Sequence, residues 1–123
     1  MKFDNDRPIY LQILEDFKLK ISSGQWEASE KIDSVRNLAK DYEVNPNTVQ
    51  RALAELEREG LCKSQRTSGR FVTDDLDLIK SLSKNAFEII CEDFIKNAKN
   101  LKISKEDALS GLEKIWRQNN VRD

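Results

Sequence analysis

The chain has 123 residues, 35% of them charged, yet its formal net charge is only −1. That length suits one domain with an extension, and the near-neutral total argues against a generic nucleic-acid coat while leaving room for a local arrangement of charge. The lack of histidine excludes imidazole catalysis and imidazole metal sites, and two cysteines without CxxC spacing, Cys62 and Cys91, fit a reduced, cytoplasmic chain.

From the N-terminus, the spacing of Tyr10, Ile13, Leu14, Phe17 and Ile21 predicts a helix over 8–23, with Asp6 as its cap and Gly24 at its end. A polar connection, Gln25 to Asp33, follows, with Trp26 as its anchor into the core. Ser34 is placed to cap a second helix, Val35 to Tyr42, that turns Val35, Leu38, Ala39 and Tyr42 inward. Only Glu43 and Val44 separate it from Asn45, a favoured N-cap, and from Pro46 at the first helical position. Two short helices so tightly joined read as helix-turn-helix.

In the third helix Val49, Ala52, Leu53, Leu56 and Gly60 make the inward stripe. Asn47, Gln50, Arg51, Ala54 and Arg58 fall opposite. That outer face holds no carboxylate, and Glu55, Glu57 and Glu59 are kept to the C-terminal end. Asn, Gln and Arg at a helix N-terminus can bond phosphates and base edges. Beyond Gly60 the period changes to two strand-like pieces, Leu61 to Ser64 and Arg70 to Val72, turned by Gln65 to Gly69. A hairpin this small must pack on the helices.

From Leu76 to about Ala98 a fourth helix carries a broad apolar stripe that includes Leu82, Phe87, Ile90 and Phe94. After "KNLKIS", Ser104 and Asp107 form an S-x-x-D cap for a last helix bearing Ala108, Leu109, Leu112, Ile115 and Trp116. Two such helices cannot enclose a core, so a second chain is expected to cover them. No apolar run reaches membrane-spanning length and no signal-peptide core precedes the first helix, so no membrane partner is expected.

The expected fold is therefore mainly α with a small β-hairpin. It is a winged helix-turn-helix DNA-binding domain over 1–73, followed by a helical dimerisation tail over 74–123. Residues 8–73 resemble the DNA-binding domain of the GntR family of bacterial transcription regulators. The stretches that carry the resemblance are "PIYLQI", "SGQW", "IDSVRNLAKDYEVNPNTVQRALAELEREGL" and "SGRFV". The two-helix tail resembles the short YtrA-like branch. The chain departs from the family pattern with Ala28 and Ser29 for Pro-Gly, Asp33 for the Pro of Leu-Pro-Ser, and Thr67 for the first glycine of the wing tip.

The resemblance implies a homodimeric, usually repressing protein bound to a double-stranded operator. It implies a DNA contact for Arg36, whose alternative is an ion pair with Asp33 or Asp41. Asn45, Asn47 and Thr48 are expected phosphate or base contacts, with capping the alternative for Asn45, and Gln50 and Arg51 the expected base readers. Arg66, Ser68, Gly69 and Arg70 are expected contacts from the wing, with turn geometry the first role of Gly69. Leu82, Phe87, Ile90, Phe94 and Trp116 are the expected dimer interface. No enzymatic activity, cofactor or metal is expected. A small-molecule effector at the dimer seam stays open, with core packing the preferred role for Trp116 and Cys91. A winged helix used only for protein contact is the competing class, and an acid-rich face on the third helix would have favoured it.

Overall fold

The structure, a computed structural model, describes residues 1–120. Its elements are α1 (Ile9–Ser22), α2 (Val35–Tyr42), α3 (Pro46–Arg58), β1 (Cys62–Gln65), β2 (Gly69–Val72), α4 (Leu76–Asn100) and α5 (Lys105–Asn120). The caps read from the sequence set the helix-turn-helix. Ser34 Oγ accepts from the Asn37 amide at 3.1 Å, and Asn45 Oδ1 accepts from the Asn47 amide at 2.8 Å. Glu43 makes the turn between them with a φ of 57°, and the Val44 amide donates back to Ala39 O at 3.0 Å.

Three details differ from expectation. Asp6 does not cap α1. Its amide is turned to Asp4 Oδ1, Pro8 holds the cap position, and the side chain of buried Gln12 clasps Asp4 and the Arg7 carbonyl. Gly60 is not part of the inward stripe. It lies past the end of α3, exposed, with a φ of +81° that reverses the chain. The polar connection before α2 is partly extended. Lys31 bridges to Phe71, the Ile32 amide donates to Arg70 O and the Val72 amide to Glu30 O, both at 2.9 Å. The wing is thereby tied to the start of α2 as well as to its own hairpin, in which Cys62 pairs with Val72 and Gln65 with Gly69.

At the two glycine replacements the backbone behaves differently. Ser29 adopts a φ of 67° and its amide donates to the Val72 and Thr73 carbonyls, so serine here holds a glycine-like conformation. Thr67 keeps a negative φ, and only Gly69, at +101°, needs the left-handed region to close the wing tip.

The chain divides into two units, residues 1–84 and Asn85 onward. In the first, α1 and α3 pack on each other and on α2 and the hairpin around Ile13, Phe17, Ile21, Leu38, Val49, Leu53, Leu56, Leu61 and Val72. The Phe17 ring lies 5.0 Å from Trp26 and meets Tyr42 edge-on at 5.7 Å. This unit extends past residue 73 because Leu78, Ile79 and Leu82 of α4 pack against its core. In the second unit, Ser104 caps α5 through the Asp107 amide at 3.1 Å. The two helices there form an apolar cleft of about 360 Å³ lined by Phe94, Ile95, Ala98, Ile103, Ala108 and Leu109. No described helix is long and apolar enough to cross a membrane.

One polar cluster ties α1 to α2. Tyr42 Oη donates to Asp16 Oδ2, and Lys20 Nζ donates to the same carboxylate at 2.7 Å and to Tyr42 Oη at 2.8 Å. Burial and the facing Asp16 push the Tyr42 phenol up to about 12, with Lys20 pulling the other way. Burial also opposes charge on Asp16, but the bonds from Lys20 and Tyr42 outweigh it and hold the carboxyl below its ordinary range.

A raised phenol pKa favours the folded state below the unfolded value near pH 10 and loses that contribution as pH climbs to about 12. Stability should therefore fall by on the order of 2 kcal/mol across that window through Tyr42 alone. Urea titrations from pH 9 to 12 should show a shallower decline in Tyr42→Phe, which keeps the ring against Phe17.

Candidate nucleic-acid interface

The expected DNA-contacting residues all lie in the first unit. Asn45, Asn47, Gln50 and Arg51 are exposed at the start of α3, and Thr48 is half-buried. Asn45 satisfies the local amides: its side chain takes the Asn47 N–H and its carbonyl the Thr48 N–H, at 3.0 Å. What this end of α3 offers an outside partner is therefore its side chains, backed by the positive end of the helix dipole.

The acids at the other end of α3 are occupied. Glu55 pairs with Arg58 at 2.8 Å and Glu59 with Lys18 at 2.7 Å. Glu57 accepts from Ser64 Oγ at 2.6 Å and faces Arg70 Nε at 3.6 Å. Sequence segregation and ion pairing thus act together to keep negative charge off the N-terminal face.

Two clefts gather several of the candidate residues. One, of about 400 Å³, brings Asn47, Thr48 and Arg51 together with Pro8, Ile9 and Tyr10 at the start of α1. The other, of about 740 Å³, brings Ser68, Gly69 and Arg70 of the wing together with Lys31, Asp33, Ser34 and Asn37 around the start of α2. Asp33 lies in that second cleft. Its carboxyl accepts from the Asn37 side chain and the Ser34 amide, which holds it below the usual carboxylate range and so keeps it charged.

Arg36, Asn45, Gln50 and Arg66 are exposed but line neither cleft. Arg36 pairs with neither Asp33 nor Asp41, and Arg66 likewise makes no ion pair among the described residues. Arg70 differs from the other candidates: it is half-buried and its guanidinium is turned to Glu57.

The structure adds Tyr10 to these neighbours: expected on the inward stripe of α1, it is half-buried and carries the Arg51 guanidinium carbon 3.8 Å above its ring. A pairing across 41 positions leaves no periodic signal; only the coincidence of an exposed arginine and an aromatic at a helix start hints at it.

In the second unit Phe87, Ile90 and Trp116 are about two-thirds exposed, at 64%, 64% and 66%, and Phe94 is 37% exposed. Leu82 is instead half-buried against the core of its own first unit.

Three helices, a tight turn before α3 and a two-stranded wing define a winged helix-turn-helix protein. The family model of bacterial regulatory proteins, gntR family, matches residues 9–72. The chain belongs to this family, whose members are DNA-binding transcription regulators and not enzymes. It is 32% identical over 112 residues to the HTH-type transcriptional regulator YhcF of Bacillus subtilis, covering 91% of this chain and 93% of that one. The transcriptional repressor YtrA of the same organism is 40% identical over 68 residues, covering 55% of this chain and 52% of that one. A solved GntR family regulator from Listeria monocytogenes matches with a TM-score of 0.84 and 38% identity over 91% of this chain and 98% of that one.

Proposed function

We propose that this regulator is a homodimeric repressor that acts in the cytoplasm and reads an inverted-repeat operator through the N-terminal end of α3. The observation that carries the reading is that the exposed first two turns of α3 hold no carboxylate, while the acids toward its C-terminal end are paired to Arg58, Lys18 and Arg70. Gln50 and Arg51 have the donors and acceptors to read adenine and guanine edges, while Asn45, Asn47 and Thr48 take adjacent phosphates. Arg36 adds charge from α2. Arg66, Ser68 and Gly69 supply the wing tip, and Arg70 braces it from Glu57.

Support for the dimer is the apolar surface of the second unit, exposed in the single chain at Phe87, Ile90, Phe94 and Trp116. Leu82 then belongs at the inner edge of that interface. That the similar Bacillus subtilis YtrA is a repressor supports the sign of regulation.

The test uses an operator selected from genomic fragments by the full chain. Gln50→Ala and Arg51→Ala should each lose about 1–3 kcal/mol on that duplex and much less on unrelated DNA. Wild-type operator affinity in both variants, with circular dichroism unchanged, would remove α3 from the readout.

A further inference from the structure

Arg51 is an exposed, long side chain on the face proposed to meet DNA, and it makes no ion pair among the described residues. The nearest acid along its helix, Glu55, is taken by Arg58. Its partner is the ring of Tyr10, 3.8 Å from the guanidinium carbon. We propose that Tyr10 is a specificity-positioning residue, which holds the Arg51 guanidinium by its face so that its N–H edge is presented to a base. The proposal rests on the assignment of Arg51 to base readout.

The chemistry of the stack favours this role. A guanidinium carries its five N–H donors in its own plane, so stacking occupies the face and leaves every donor free. An acid partner would instead consume those donors, as Glu55 does for Arg58 through Nε and Nη2. A free arginine on a helix surface loses rotamer entropy when it engages a base, and a ring already stacked on it reduces that loss.

Tyr10 is itself held. It is half-buried near the start of α1, a helix that packs on α3. The approach to α1 is fixed by Gln12, whose buried amide bonds the Asp4 backbone twice, at 2.7 Å, and the Arg7 carbonyl at 3.0 Å. Asn47 and Thr48 line the same cleft as the Tyr10–Arg51 pair, so the stack stands beside the side chains proposed to take phosphate.

The experiment is a binding cycle on the full-length chain, with its selected operator and an unrelated duplex at one salt concentration. Tyr10→Leu should weaken operator binding about 2- to 30-fold, the range of a cation–π contact from exposed to desolvated. Binding to unrelated DNA should be nearly unchanged. Tyr10→Phe, which keeps the ring, should stay within about twofold of wild type. In an Arg51→Ala background Tyr10→Leu should cost little more, and operators selected by Tyr10→Leu should show relaxed preference at the position that Arg51→Ala also relaxes.

Equal losses in Tyr10→Phe and Tyr10→Leu would overturn the proposal and assign the hydroxyl to a phosphate. Additive losses in the double variant would overturn it as well. If Arg51→Ala weakens the operator while Tyr10→Leu binds as wild type, the stack alone is refuted. If Arg51→Ala itself binds as wild type, the readout assignment fails and the stack falls with it. Thermal unfolding of each variant separates these results from loss of fold, and Tyr10→Phe supplies the same test with the least change in packing.

Discussion

A chain ending at Lys84 should keep its fold and bind a full inverted-repeat operator about 10²–10⁴-fold more weakly than the 123-residue chain. It should keep its fold because residues 1–84 carry the whole of the winged-helix core, including the contacts of Leu78, Ile79 and Leu82 that a cut at 73 would remove. The weakening follows from what lies beyond Lys84. Phe87, Ile89, Ile90, Ile95, Leu101, Leu109, Leu112, Ile115 and Trp116 are all exposed in one chain. Each large apolar side chain taken fully out of water against a second copy contributes about 1.5–3 kcal/mol. Several such contacts would outweigh the entropic cost of association, so the proposed pairing should hold at micromolar concentration. A dimer presents two copies of α3, and once one half-site is engaged the second contact becomes intramolecular. Sedimentation of both chains and a titration against the same duplex check this. A monomeric full-length protein, or a truncation that binds as tightly, would sink the dimer assignment.

Phe17→Ala should destabilise the first unit by about 3–5 kcal/mol. Phe17 is fully buried, its ring contacts both Trp26 and Tyr42, and it lies at the centre of the packing between α1 and the helix-turn-helix. Removing the ring forfeits its transfer free energy and leaves a cavity that three rigid elements cannot close. The two aromatic contacts add to the loss beyond area alone. Because small domains are stable by only about 5–15 kcal/mol, a substantial fraction of the variant should unfold in mild urea. The comparison must hold protein concentration fixed, since pairing would stabilise both chains by mass action. Equilibrium urea unfolding followed by Trp26 fluorescence gives the difference directly. A loss under 1 kcal/mol would mean that the core around Phe17 closes over the gap.

Much of the DNA-binding unit was legible because its signals are local. Ser34 and Asn45 announce helix starts through bonds made within three residues, and Pro46 at the first helical position agrees with Asn45. The inward stripe Val49, Ala52, Leu53 and Leu56 is fully buried, as periodicity requires. Separate unit boundaries were less legible. Leu82 follows the same stripe as Phe87 and Ile90, and periodicity cannot say which part of α4 packs on its own chain.

What the sequence concealed are pairings between distant positions. Lys31 meets Phe71 in a bridge that no alternating pattern foretells, because the connection around it is polar. Arg70 is a wing residue by type and place, and nothing in the sequence shows that Glu57 lies across from it on α3. Tyr10 looked like a core residue because α1 places it on the inward side, and its exposed half became meaningful only with Arg51 above it. In each case the missing information is which segment lies opposite, and composition does not carry that.

In the proposed function, DNA is read by the carboxylate-free end of α3, assisted by α2 and the wing. Amide chemical-shift mapping of the full-length protein on its selected operator duplex tests it most directly. We expect the largest shifts at Arg36, at Asn45 to Arg51 and at Arg66 to Arg70, with Tyr10 among them. Shifts confined to α4 and α5, or an undisturbed α3, would contradict it.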